Sequence, residues 1–125
     1  MIKTMEQWLT GKRLLIILTI AAAVWFSFAA VMTVLRYRLN YASAYDFGIF
    51  SQMYYYMDKG LSPLTTCERD GLLSHFAVHL SPVFYVLLPL YKLVPRPETL
   101  LVLQSLVVIS GMVPLCLLAR TFCFT

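Results

Sequence analysis

The chain has 125 residues, of which 60% are hydrophobic and 13% charged, with a net charge of +4. A soluble domain carries about 25% charged residues, so this composition excludes an ordinary soluble fold and points to an integral membrane protein. The basic residues are scattered and flank apolar runs, a placement that suits snorkelling or topology-setting groups and gives no nucleic-acid footprint.

Residues 1–13 form a basic head with Lys3, Lys12 and Arg13. Residues 14–35 carry no charge and, as a helix, are long enough to cover about 30 Å of hydrocarbon. A cleaved signal peptide would have an apolar region of about 7–15 residues and a small-residue cleavage site. This run is longer, and Arg36 and Arg38 follow it directly. The basic head favours a cytoplasmic start, which makes residues 36–75 an extracytoplasmic loop.

That loop contains its own helix signals. Ser43-Ala44-Tyr45-Asp46 has the S-x-x-D spacing of a helix start, and Gly60 after Lys59 suits a helix end. The spacing predicts an amphipathic surface helix near 44–59, with Tyr45, Ile49, Met53 and Tyr56 on its apolar face. Its tyrosines suit the headgroup level. Glu68, Arg69 and Asp70 read as a solvated mixed-charge turn.

Residues 76–94 read as a short, kinked transmembrane or re-entrant helix. Ser81-Pro82 is a good N-cap and first-turn pair. Pro82 to Val94 would cover only about 20 Å; a start near Leu72, kinked at Pro82, would reach further. Pro89 adds a second distortion. Pro95-Arg96-Pro97 then makes a turn. Residues 98–119 form the last span, with Glu98 suited to its first turn. Gln104, Ser105 and Ser110 give this span a polar stripe, and Gly111 and Pro114 loosen its second half. Residues 120–125 form a tail that reads as the end of a truncated reading frame. The expected fold is all-α: about three transmembrane helices plus a surface helix, as part of a larger helical bundle.

Few side chains are equipped for chemistry. Asp46, just past the first span, could serve as a general base or hold a divalent cation against a phosphate; alternatively it completes the helix cap with Ser43. His75 and His79 stand four apart, but the H-E-x-x-H pattern and a nearby third ligand are missing, which argues against zinc. They suit a phosphate or sugar hydroxyl better, or are interface histidines without a role. Cys67, Cys116 and Cys123 make an odd count with no C-x-x-C, so they form neither a full disulfide framework nor a thiolate metal site. Nucleotide-binding glycine motifs and a nucleophile elbow are missing as well.

Four motifs carry a family resemblance: D-F-G-I-F-S-Q at Asp46 to Gln52, H-L-S-P at His79 to Pro82, P-L-Y at Pro89 to Tyr91, and T-L-L-V-L-Q at Thr99 to Gln104. Over residues 41–120 the chain resembles the N-terminal part of a bacterial and archaeal family of polytopic membrane proteins catalogued as a domain of unknown function. That family is distantly similar to the GT-C membrane glycosyltransferases, including the protein mannosyltransferase and aminoarabinose transferase branch. The resemblance implies that Asp46 is the catalytic acid/base or metal-linked residue, and that His79 contacts the donor phosphate. His75 and Gln52 complete the expected substrate-binding set. Two departures stand out: Phe47 follows Asp46 where many of those enzymes carry a second acid, and His79 with Ser81-Pro82 replaces a lysine before Pro-Pro.

The leading expectation is therefore the N-terminal fragment of a GT-C-like glycosyltransferase using a polyprenyl-phosphate-linked sugar. Its partners are the bilayer and the missing C-terminal part of the same protein. Three helices and a loop supply too few walls for a donor and acceptor site, so the chain alone is expected to be inactive. The alternative is a small non-catalytic membrane protein or gene remnant. A transporter would place ionisable residues within spans; His79 apart, these spans have none.

Overall fold

The computed structural model describes residues 12–41 and 44–123. Most of the basic head, the Ser43 cap and the last two residues of the tail lie outside the described residues. In chain order the elements are α1 (Lys12–Arg38), α2 (Ala44–Asp58), β1 (Leu64–Thr65), β2 (Leu73–Ser74), a single 3-10 turn (His75–Ala77), α3 (Val83–Leu93), α4 (Pro97–Ser110) and α5 (Met112–Cys123). The chain is mostly helical, as expected. The short antiparallel β1–β2 pair is an addition that an all-α reading lacks. It aligns Leu64 with Ser74 and Thr65 with Leu73.

The chain divides into two compact units: Met1–Met32 with Gln104–Thr125, and Thr33–Leu103. The first unit holds most of α1, the end of α4, and α5. The most apolar stretch of α1 has no buried residue, and Ile16, Val24, Trp25 and Phe28 are all exposed. Its hydroxyls are satisfied inside the helix: Thr19 Oγ1 donates to the Leu15 carbonyl at 2.8 Å and Ser27 Oγ to Ala23 at 2.8 Å. An apolar exterior with internally paired hydroxyls is what a lipid-facing helix requires. Gly111 interrupts the last apolar run, and Pro114 falls in the first turn of α5, where its missing N–H does little harm. The polar stripe is not one face: Ser105 is buried, whereas Gln104 and Ser110 are exposed.

The second unit contains the loop. At its start, α1 ends in a Schellman arrangement around Asn40, whose φ is 58°. Asn40 N–H donates to Tyr37 and Tyr41 N–H to Arg36, the paired bonds that satisfy orphan carbonyls at a helix end. The end of α2 repeats it: Gly60 has φ 76°, Gly60 N–H donates to Met57 and Leu61 N–H to Tyr56. The sequence-based limits of 44–59 agree closely with Ala44–Asp58.

The buried face of α2 differs from the expected one. Ile49, Met53, Tyr54 and Met57 are buried, while Tyr45 is 63% exposed. Met53, Tyr54 and Met57 pack with Tyr91 and, around them, Phe50, Phe84, Leu87, Leu88 and Leu100. Methionines take the centre because their unbranched chains fill the gap between two helices; tyrosines need a partner for the hydroxyl when buried. Tyr54 has one, donating to the Phe84 carbonyl at 3.1 Å. Burial pushes its phenol up to about 12.

In α3 the helix starts at Val83, one residue later than the Ser81-Pro82 signal indicates, with no side-chain cap at its N-terminus. The helix has 11 residues, about 16 Å at 1.5 Å each. The residues before it from Leu73 onward are strand, 3-10 turn and coil, so a long kinked helix starting near Leu72 does not form. Two helical runs, Arg13–Arg38 and Pro97–Leu118, are long and apolar enough to cross a membrane.

Truncating the centre of this packing tests it. Met53 is 0% exposed, so Met53→Ala should cost about 2–5 kcal/mol, the usual range for emptying a core site. Tyr45→Ala, on the exposed side, should stay within about 0.5 kcal/mol. Thermal unfolding of the detergent-solubilised protein reads both.

Candidate functional site

Gln52 ties the loop after α2 to that helix. Gln52 Oε1 accepts from the Thr66 backbone N–H at 2.8 Å and from the Thr65 hydroxyl at 3.2 Å. Gln52 Nε2 donates to Thr66 Oγ1 at 3.0 Å. A backbone N–H can only donate, so the amide oxygen must face Thr66, and this fixes the orientation of the carboxamide. Cys67 joins the cluster through its N–H, which donates to Thr65 Oγ1 at 3.1 Å, and its Sγ lies 3.6 Å from Gln52 Oε1. Gln52 was expected in the substrate-binding set. Both ends of its amide are engaged by the loop.

Beyond this anchor the chain turns back. His75 N–H donates to the buried Pro63 carbonyl at 2.8 Å, placing His75 directly after β2 and against α2. The imidazole is 4% exposed. It sits among aromatic rings: Phe50 at 5.7 Å edge-on and Phe84 at 5.8 Å, measured between centroids. Its Nδ1 lies 3.0 Å from each carboxylate oxygen of Glu68. The Glu68 side chain is only 13% exposed. Glu68, expected in a solvated turn, is thus the partner of the buried histidine. No periodicity links residues seven apart across an irregular loop; the one available clue was that a histidine in an apolar neighbourhood needs a polar partner.

His79 is exposed, and its ring centroid is 5.7 Å from that of His75. The two expected binding histidines therefore come together. Their turn is closed by His79 N–H donating to the His75 carbonyl at 2.9 Å. Arg69 Nη2 reaches the Ala77 carbonyl in the same turn at 3.5 Å.

Asp46 lies in the first turn of α2 and is exposed. Helical periodicity puts it in line with Phe50, Met53 and Met57. It therefore continues the buried face past the point where packing ends. One helical turn, about 5.4 Å of rise, separates it from Phe50, whose ring touches His75. Among the described residues no three His, Cys, Asp or Glu side chains gather as a metal site.

No curated protein and no solved structure matches this chain. A family model described as "Predicted membrane protein (DUF2079)" matches residues 35–124, a region that takes in α2, the loop with Gln52, Glu68 and both histidines, and α3 to α5. With the composition and the two long apolar helices agreeing, the chain belongs to the DUF2079 family of predicted membrane proteins.

Proposed function

We propose that this chain belongs to a membrane glycosyltransferase similar to the GT-C enzymes, using a polyprenyl-phosphate-linked sugar, with Asp46 as its acid/base. The observation that carries the reading is the position of Asp46. It is an open carboxylate at the unpacked end of the helix face whose next turn contacts the buried His75. A general base must reach its substrate proton, so exposure at the rim of a packed site suits the role. His79, exposed beside His75, takes the donor side.

The same reading includes a membrane arrangement. Arg38, at the end of α1, pairs with Glu98, at the start of α4, at 3.3 Å. This supports placing the ends of the two long apolar helices at one membrane surface. At about 16 Å, α3 falls short of the roughly 30 Å hydrocarbon layer. The whole segment between α1 and α4 then lies on one side, with α3 re-entrant or in the surface rather than crossing. That replaces the three-span arrangement with two crossings.

Two outcomes test these points. Cysteines placed at Ser62 and at Arg96 should label from the same side of the membrane; a crossing α3 would put them on opposite sides. In a longer family member carrying further helices, Asp46→Asn should lower sugar transfer from a polyprenyl-phosphate donor by about 10²–10⁴-fold. Its folding stability should change by no more than about 1 kcal/mol, the scale of a lost cap. Transfer at the wild-type rate would return Asp46 to a structural role and favour the non-catalytic membrane protein.

A further inference from the structure

α3 is apolar on two sides, and only one of them is covered. Phe84, Leu87, Leu88 and Tyr91 pack into the contact with α2. Helical periodicity puts Val83, Val86, Pro89, Leu90 and Leu93 on the opposite side. All five are exposed, Val86 at 71% and Leu93 at 77%. Tyr85 and Lys92 edge that face and are exposed as well. A helix that is apolar all round needs an apolar partner on its second face too.

What covers it follows from the level at which α3 sits. Only residues 94–96 separate α3 from α4, and Leu100 of α4 packs on the cluster that contains Tyr91. Two residues before Leu100, Glu98 pairs with Arg38 at 3.3 Å, and the Arg38 side chain is 62% exposed. An exposed ion pair belongs in water or among headgroups and not in hydrocarbon, whereas the run that begins at Pro97 is apolar enough to cross a membrane. α3 is therefore level with the point where α4 enters the bilayer. The composition of the outer face favours lipid over protein: protein interfaces are enriched in aromatic residues, Met and Arg, and this face is aliphatic throughout. Pro89 argues against deep insertion. It cannot supply the N–H that the Tyr85 carbonyl would take, and a carbonyl so released is satisfied by water at a membrane surface but not in hydrocarbon.

We propose that α3 lies in the plane of the bilayer surface, with Val83, Val86, Leu90 and Leu93 among the upper acyl chains of the phospholipid leaflet on the loop side. Lys92 and Tyr85 then reach the headgroups from the edge of that face. α2, expected from its tyrosines to be the surface helix, becomes a second layer carried on the other side of α3. The inference rests on the two-crossing arrangement, which it commits to one depth and one lipid-facing side; it does not depend on sugar transfer.

The full chain in phosphatidylcholine discs tests this. A fluorescent amino acid is placed at Val86, at Leu93 or at Tyr55, all exposed positions whose replacement leaves the packing intact. Its quenching is compared in lipid brominated near the headgroup end of the acyl chains and in lipid brominated near their terminus. Val86 and Leu93 lie on the same side of α3, about 10 Å apart along its axis, so a steep tilt would separate their depths. Both should be quenched to the same extent, and more by the shallow bromine than by the deep one. Tyr55, on the opposite side of α2 from Met53, should be quenched by neither. Stronger quenching of one end of α3 by the deep bromine would mean that the helix enters the membrane. No quenching at either end would mean that protein, such as a second copy of the chain, covers the face. Either result overturns the proposal, as does quenching of Tyr55 equal to that of Val86. Labelling at Ser62 and Arg96 then separates the causes: reaction from the same side sinks only the in-plane helix, and reaction from opposite sides sinks the two-crossing arrangement with it.

Discussion

One carboxamide ties the loop to α2 and the rest of the loop is arranged around that tie. A two-residue strand pair cannot stand alone in water, and ordering an irregular loop costs about 1–2 kcal/mol per residue in backbone entropy. Gln52 offsets part of that cost by taking the Thr66 N–H and the Thr65 hydroxyl on its oxygen while donating to Thr66. Each such bond contributes about 1 kcal/mol net, so the anchor alone is insufficient. It works because it sets the register that buries Thr65 and brings His75 to the Pro63 carbonyl. Glu68, Arg69 and both histidines are placed only once that register exists.

The surroundings of His75 amplify what its partner does. Phe50 and Phe84 exclude water from the ring, and in a drier environment each remaining polar contact is stronger and each missing one more costly. The aromatic residues that build the α2–α3 contact are therefore also the walls of the imidazole pocket. Packing and chemistry share the same side chains, and Phe84 connects them, since its ring meets Phe50, Tyr54 and His75.

What the sequence revealed follows from the range of the forces involved. The charge-free run of α1, the Gly60 stop of α2 and the Pro95–Pro97 turn are local signals, and the structure keeps them. The break at Gly111 was equally legible. The buried face of α2 was not, because its apolar residues lie all around the helix and only its packing partners, α3 with Leu100 of α4, select Tyr54 and Met57 over Tyr45 and Tyr56. Asp46, His75, His79 and Gln52 were all identified as residues of interest. The roles of Gln52 and Glu68 were hidden, because they depend on a loop register stabilised by contacts far apart along the chain.

The ion pair between Arg38 and Glu98 has a consequence for insertion. Its own strength is slight, since exposed pairs contribute about 0–1 kcal/mol. In the proposed arrangement with two crossings, however, Arg36, Arg38, Lys92 and Arg96 flank the spans on the loop side, while Lys3, Lys12, Arg13 and Arg120 flank them on the other. Orientation in a bilayer follows the excess of basic residues near span ends, and here the two sides tie. In that arrangement the charges flanking these two spans do not choose which end stays inside. Their orientation would then have to be fixed by something other than basic residues at the span ends, and the folded loop on one side is the feature that distinguishes the two surfaces.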